Sequence, residues 1–331
     1  MSVSTSTAGP PARLRVSWRH PVLSLAVTYV VSPVVTVLCA TFLLFAVLAL
    51  SPGDPVAQLL GPHASDSARA AMRARLGLDD PLPERYWHWL TGALHGDLGT
   101  SLTYRQPVSD LLVPRLLSTL LLVGMSAVLI LVAGLLLGGI GGTSPRWRPL
   151  VNVVSGLGIA VPAFVATTLL ISVFAVSLGW FPTGGAGSGL ADRLWHLVLP
   201  AVALSIGYAA YLIQLTSSAI GEEAAAEHVV TGRGRGLPRS WVFRRHILRN
   251  AALPVLTASG LTVAGLVAGT VVVEPAFGID GIGSLLIRSV SAKDYPVVTA
   301  VSALIVTVFV VVTTLLDAGQ HLLDPRLREG R

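Results

Sequence analysis

Apolar residues in this chain arrive in blocks, not in the alternation of a half-buried strand. Six blocks, at 22–50, 116–140, 150–178, 197–220, 253–273 and 297–316, carry almost no charge. A helix rises ~1.5 Å per residue, so about 20 apolar residues cross a ~30 Å hydrocarbon layer. Each block therefore predicts one membrane span. The first block contains Pro33, where a kink or an interfacial start is expected because proline removes a backbone donor. A secretory signal has an apolar core of only about 7–15 residues; this block is about twice that, which predicts an uncleaved helix.

Between the first two blocks the pattern changes. Ser65 is a suitable N-cap and Gly77 a suitable C′ residue for a helix over 66–76. After Pro81 and Pro83 a second helix puts Tyr86, Trp89, Leu90, Ala93 and Leu94 on one stripe. Aromatics beside membrane spans mark either the interface belt or a docking surface for an external partner, and the stripe admits both readings.

Composition agrees with the blocks. The chain has 331 residues, 53% hydrophobic and 12% charged, with a mean hydropathy of +0.72. Soluble domains are about a quarter charged, so this is an all-α polytopic membrane protein. The single lysine, Lys293, has no glycine-rich loop ahead of it. A phosphate-binding P-loop needs such a lysine, so this chain holds no ATP site of that kind. The single cysteine, Cys39, excludes intrachain disulfides and thiolate clusters.

Charge predicts the topology. Fourteen arginines fall in the N-tail, the 141–149 loop, the 221–252 loop and the C-tail, against Arg193, Arg288 and Lys293 in the two short loops of the other face. Positive loops stay inside, so both termini are expected in the cytoplasm. The 51–115 segment is too long for that rule to weigh.

The 221–252 loop is the densest in charge. It reads as two short helices broken at Gly236-Leu237-Pro238, with glycine free to take φ > 0 and proline opening the second helix. A basic loop that only enforces topology, or touches anionic lipid, is the simplest reading. Its residue order says more: Glu222; then Glu227, His228, Val229, Thr231, Arg233, Arg235, Gly236 and Leu237; then Arg245, His246, Leu248, Arg249, Asn250, Ala251 and Pro254. This series resembles the EAA loop of binding-protein-dependent ABC import permeases, most nearly the dipeptide, oligopeptide and nickel branch. The resemblance runs over about 45–328. It includes Ser-Pro-Gly-Asp-Pro at 51–55, Leu-Gly-Leu-Asp-Asp-Pro-Leu-Pro at 76–83 and Gly-Asp-Leu-Gly at 96–99 followed by Ser101. It continues with Leu-Pro-Ala at 199–201, Glu274 with Phe277, Gly281 with Gly283, Asp-Tyr-Pro-Val at 294–297 and Leu-Asp-Pro-Arg at 323–326.

The resemblance implies a type I ABC importer permease (MetI-like) fold of six transmembrane helices with a helical extracytoplasmic segment. The implied parts are a cytoplasmic N-tail over 1–21 (its composition reads as disordered), a first helix over 22–50 and the outer segment over 51–115. A five-helix core over 116–320 follows, carrying the loop at 221–252, and then a C-tail over 321–331. It implies a non-catalytic subunit in the cell (inner or plasma) membrane. Its partners would be a second homologous permease, two cytoplasmic ABC ATPases and an extracytoplasmic solute-binding protein, with no cofactor of its own and no nucleic acid. Glu222, Glu227, Arg233, Arg235, Gly236, Arg245, His246 and Arg249 would couple it to the ATPase. Di- or oligopeptides are the implied cargo, with nickel chelates, glutathione or another small solute as alternatives. Where the family favours alanines this chain has Gly232 and Gly234, each costing a helix about 1 kcal/mol. A frayed first coupling helix is therefore expected.

Polar residues inside the spans are few. Glu274, at the outer end of the fifth span, is read either as lining a gate or as a structural helix-end group. Phe277, Pro162 and Pro200 complete the candidate pathway or gate positions, the prolines as breaks in the third and fourth spans that mark hinges or are ordinary membrane prolines. Asp294 is expected to cap the sixth span and Asp317 to pair with a basic loop residue. The histidines occur singly, without a metal-ligand pair, and no GxSxG or dinucleotide motif is present. A membrane enzyme would need a nucleophile or paired carboxylates in the spans. A secondary transporter or channel would need coupling-ion carboxylates and an internal repeat. None of these is found.

Overall fold

The computed structural model describes residues 27–50, 56, 60–61, 63–75 and 77–323. Among them there is no strand, and the chain is a succession of helices. The expected N-tail, the 51–55 motif and residues 324–331 lie outside the described residues.

The first span is α1, Ser32–Leu50, preceded by a π-helical turn, Val27–Val31. The turn ends just before Pro33, which lacks the amide that would continue a regular ladder. The outer segment then supplies α2, Asp66–Arg75, and α3, Leu82–Leu94. Ser65 Oγ accepts from the Ala68 amide at 3.3 Å, and Gly77 turns the chain at φ +61°. The aromatic stripe of α3 faces α1. Tyr86 is buried, its hydroxyl 2.8 Å from Thr41 Oγ1 and donating to the Leu38 carbonyl at 3.1 Å, with its ring edge-on to Phe42. The stripe's far end is not covered: Leu94 is 77% exposed. Tyr86 and Trp89 thus meet the first span, where the sequence suggested an interface belt or a partner surface.

α4, Val108–Thr143, and α7, Gly189–Ala225, are two long helices that pack side by side. At ~1.5 Å per residue each is about 55 Å long and overshoots the hydrocarbon layer. Their close approach depends on glycine. A Cβ at Gly134 would fall 2.5 Å from Leu212, at Gly138 2.5 Å from Thr216 and at Gly142 2.6 Å from Ile220. Small residues every fourth position let two membrane backbones touch, and dispersion then holds them.

The third block is not one straight span. It forms α5, Arg148–Ala160, and α6, Ala163–Leu170 with a π continuation, Ile171–Ser177, bent by 98° at the break. Proline forces its predecessor into an extended conformation, and Val161 accordingly has φ −83° and ψ 115°. The described residues therefore hold five helices long and apolar enough to cross a membrane, or six if the bent pair is one span. Pro200, by contrast, breaks nothing. It sits buried inside the uninterrupted α7, so the expected interruption of the fourth span is corrected.

The loop helix α8, Glu227–Gly234, leads into α9, Arg239–Ala276. α9 includes a π-helical stretch at Phe243–Leu248. The second short helix expected in the loop is thus the first turns of the fifth span. α10, Ile282–Ser291, lies between the last two spans, and α11, Tyr295–Leu323, is the last. α10 was not anticipated, because ten amphipathic residues fall below the length of a span.

Two expectations for single carboxylates change. Asp294 does not cap its own helix with its side chain. Its carboxylate accepts from Ser101 Oγ at 2.5 Å and from the amides of Leu102 and Thr103 at 3.1 and 3.0 Å, tying the outer loop to α11. Among the described residues no basic side chain pairs with Asp317; its backbone carbonyl accepts from Tyr29 at 3.4 Å.

Candidate functional site

The charged loop is built on an apolar cluster. Ile220 from α7, Val229 from α8 and Val242, Ile247 and Ala251 from α9 are all buried against one another. Ala226 leaves the helix at ψ 145°, and Gly236 turns the chain at φ +77°, in the left-handed region where L side chains are strained. These two points fold α8 back between the end of α7 and the start of α9. α8 is a formed helix, contrary to the fraying its glycines suggested. Gly232 is buried near Leu237 and Val242, so packing offsets its propensity cost.

The polar candidates lie on the outside of this platform. Glu222, Glu227, Arg233, Arg235, Gly236, Arg245 and Arg249 are exposed, and His246 is half-buried. Glu222 accepts from Ser218 Oγ at 3.1 Å. Arg233, Arg235, Arg245 and Arg249 have no carboxylate within ion-pair range among the described residues. Four unpaired guanidinium groups on a rigid surface form a positive face that complements an acidic one.

Sequence reasoning missed two features here. His228, His246 and Trp241 make tilted and edge-on ring contacts in series, with ring centroids 5.5 and 5.2 Å apart, and His228 Nε2 lies 3.4 Å from Glu223 Oε2. Arg148, counted only as a topology charge, donates to the carbonyls of Gly141 and Gly142 at 3.2 and 3.0 Å. It closes the C-terminus of α4, where unsatisfied carbonyls and the helix dipole favour a cation.

Among the apolar helices a cavity of about 640 Å³ opens between the α5/α6 break, α7 and α9. Val161 and Ala163, on either side of Pro162, line it, as do Tyr208, Tyr211, Leu261 and Thr262. Its polar groups are hydroxyls; no carboxylate or basic side chain lines it. Tyr208 donates to the Gly265 carbonyl at 3.0 Å, bridging α7 and α9.

Glu274, Phe277 and Pro200 are not among the lining residues. Glu274 is fully buried, its carboxylate accepting from Thr119 Oγ1 at 2.6 Å and from the Ser284 amide at 3.1 Å, in contact with Gly281. Thr119 Oγ1 in turn accepts from the Ile282 amide at 2.9 Å. Phe277 is buried next to it, its carbonyl accepting from the Gly185 amide at 2.9 Å. Together they lock α9, α10 and α4 at one end of the bundle. Only the fold brings Thr119 and Glu274, 155 positions apart, into contact.

Similarity to known proteins agrees with this arrangement. The family model described as binding-protein-dependent transport system inner membrane component matches residues 130–329, and the model for the N-terminal part of such components matches 22–123. A glutathione transport system permease protein of Salmonella choleraesuis is 36% identical over 295 residues, spanning 88% of this chain and 95% of the relative. A protein with a peptide-permease designation in Brucella ovis is 37% identical over 301 residues, spanning 88% and 94%. Among solved structures, the inward-facing MetNI methionine ABC transporter shares the fold, with a TM-score of 0.51 at 17% identity over 65% of this chain and 96% of that one. The chain is a multi-pass membrane permease subunit and belongs to the family of binding-protein-dependent transport system inner membrane components.

Proposed function

We propose that this subunit forms half of the translocation pathway of an ATP-driven importer of di- or oligopeptides, in a cell membrane with both termini cytoplasmic. A second homologous permease forms the other half, an external solute-binding protein delivers the cargo, and of two separate ATPases one docks on the 221–252 platform of this chain. The observation that carries the proposal is the platform itself. Its apolar cluster joins the C-terminus of α7 to the N-terminus of α9, and those same two helices wall the 640 Å³ cavity. A push on α8 is therefore delivered along both helices to the cavity as a rigid-body shift. Arg233, Arg235, Arg245 and Arg249, with Glu222, Glu227 and His246, supply the docking contacts, and Gly236 sets the turn that aims them.

The peptide designation of the Brucella relative supports the cargo class. A wall of apolar groups and hydroxyls also suits a neutral or zwitterionic solute better than a bare metal ion. The Salmonella relative supports glutathione, itself a small peptide, as the second reading.

Two measurements test this. Cells lacking their own peptide and glutathione importers, supplied with this chain and its partner subunits, are expected to accumulate labelled dipeptide; accumulation of glutathione alone selects the second reading. In the assembled complex, Gly236→Asp is expected to insert normally yet lower cargo-stimulated ATP hydrolysis and uptake at least about tenfold, since a side chain at φ +77° strains the turn. Wild-type coupling in that variant would sink the docking assignment.

A further inference from the structure

A second cavity, of about 410 Å³, lies away from the pathway, between the end of α1, the outer segment and the start of α11. Its body is apolar, formed by Phe45, Leu48, Leu78, Leu98, Leu102 and Pro296. Its rim is not. Arg73 and Arg85 line it, Arg73 held by Asp79 at 3.2 Å. Arg85 has no carboxylate partner among the described residues; its guanidinium lies 5.8 Å from the centroid of the Phe45 ring. Two more lining residues carry hydrogen-bonding atoms sealed from solvent with no partner among the described residues, the indole N–H of Trp89 and the hydroxyl of Tyr295. Buried donors left unpaired cost about 1–3 kcal/mol each, so these two gain from an acceptor that a small side-chain shift into the groove brings within reach. The neighbouring surface of α1 is apolar and open, with Val47 and Leu50 exposed.

We infer that this groove binds one anionic phospholipid, with an acyl chain on the Phe45–Leu48 wall and the phosphate on Arg85, accepting from Trp89 Nε1 or Tyr295 Oη. Three observations select an anionic amphiphile over other occupants. Arg85 at the rim lacks a counter-charge among the described residues, the orphaned donors point to an acceptor, and the apolar body opens beside an exposed apolar span. The volume lies within the ~300–1,000 Å³ usual for small-ligand sites, room for a headgroup and part of one acyl chain, and basic side chains near a membrane surface attract anionic headgroups. A free phosphate would leave the apolar body empty. Placement in the outer leaflet rests on the orientation proposed above; the lipid site itself does not.

The full-length chain is delipidated in detergent and titrated separately with phosphatidylglycerol, phosphatidylcholine and inorganic phosphate, and bound species are counted by native mass spectrometry. One phosphatidylglycerol per chain is expected to be retained, at least about fivefold more tightly than phosphatidylcholine and undisplaced by inorganic phosphate. Arg85→Gln should lose that preference. Leu48→Trp, which fills the apolar body of the groove and changes no charge, should lose the lipid altogether; its thermal melt confirms that it folds. Equal retention of the two lipids, displacement by inorganic phosphate, or wild-type retention in both variants overturns the site. Unchanged lipid retention in Arg85→Gln with lost docking of the solute-binding protein also overturns it and assigns the groove to that protein. Because retention is read without ATPase or transport, failure of this site and failure of the proposed function are separable.

Discussion

Glu274 shows how little a residue's type and position reveal of its task. A carboxylate at the end of a span suggested a gate as readily as a structural group, and in the fold it is a fully buried acceptor for Thr119 Oγ1 and the Ser284 amide. Glu274→Ala leaves both donors unsatisfied in a dry site, at about 1–3 kcal/mol each. The detergent-purified chain is expected to melt at clearly lower temperature, with Glu274→Gln intermediate because its amide oxygen replaces one acceptor. A wild-type melt for the alanine variant would show that the lock carries no stability. Gly138 and Gly139 make a second, paired prediction. A methyl at Gly138 falls 2.5 Å from Thr216, whereas nothing lies within 4 Å at Gly139. Gly138→Ala should destabilise the chain by about 1–3 kcal/mol through overpacking, while Gly139→Ala should be neutral or slightly stabilising through helix propensity. Equal effects in a thermal melt would remove the glycine seam as the basis of α4–α7 packing. Neither distinction is legible in the string Gly-Gly, because it depends on which helix lies opposite.

Among elements, the two proline breaks separate local from tertiary control. Pro162 and Pro200 have the same backbone chemistry, yet one ends a helix with a 98° bend and the other sits within a continuous one. At Pro200 the surrounding helices bury the site and hold α7 together across the missing hydrogen bond. At Pro162 the bend instead shapes the cavity wall through Val161 and Ala163. Restoring the amide with Pro162→Ala should let α5 and α6 straighten toward one helix. Spin labels placed at Leu150→Cys and Val176→Cys in a Cys39→Ser background are then expected to move apart, and uptake should fall at least about threefold as the wall shifts. An unchanged label distance would show that packing, not proline, holds the bend. The loop gives the opposite lesson. Its helix–turn–helix order, with the turn at Gly236, could be read directly from the sequence, because glycine followed by proline two positions later is a local signal. That its second helix continues into the fifth span could not, because the continuity runs through the π-helical stretch at Phe243–Leu248.

For the whole molecule, arginine asymmetry predicts which ends face the cytoplasm, and a labelling experiment checks it. In the same cysteine-free background, a membrane-impermeant thiol reagent is expected to reach Leu94→Cys on intact cells and Arg235→Cys only after permeabilisation. Both positions are exposed in the fold. Labelling of both from one side would refute the topology and the leaflet of the lipid groove, leaving the groove itself untouched. The helical class, the apolar blocks and the position of the charged loop were determined by sequence alone, and charge placement sets the expected topology. They rest on block hydrophobicity, charge placement and glycine–proline signals, each decided within a few neighbouring residues by transfer from water to lipid. Tertiary structure alone decided which glycines carry packing, which proline bends its span, and that Asp294 and Glu274 bind groups far away in the chain. The same holds for the cavity walled by α5, α6, α7 and α9, and for the groove between α1, the outer segment and α11. Those are properties of surfaces brought together from distant segments. In a chain where apolar residues cover nearly every face, hydrophobicity does not say which face meets protein and which meets lipid.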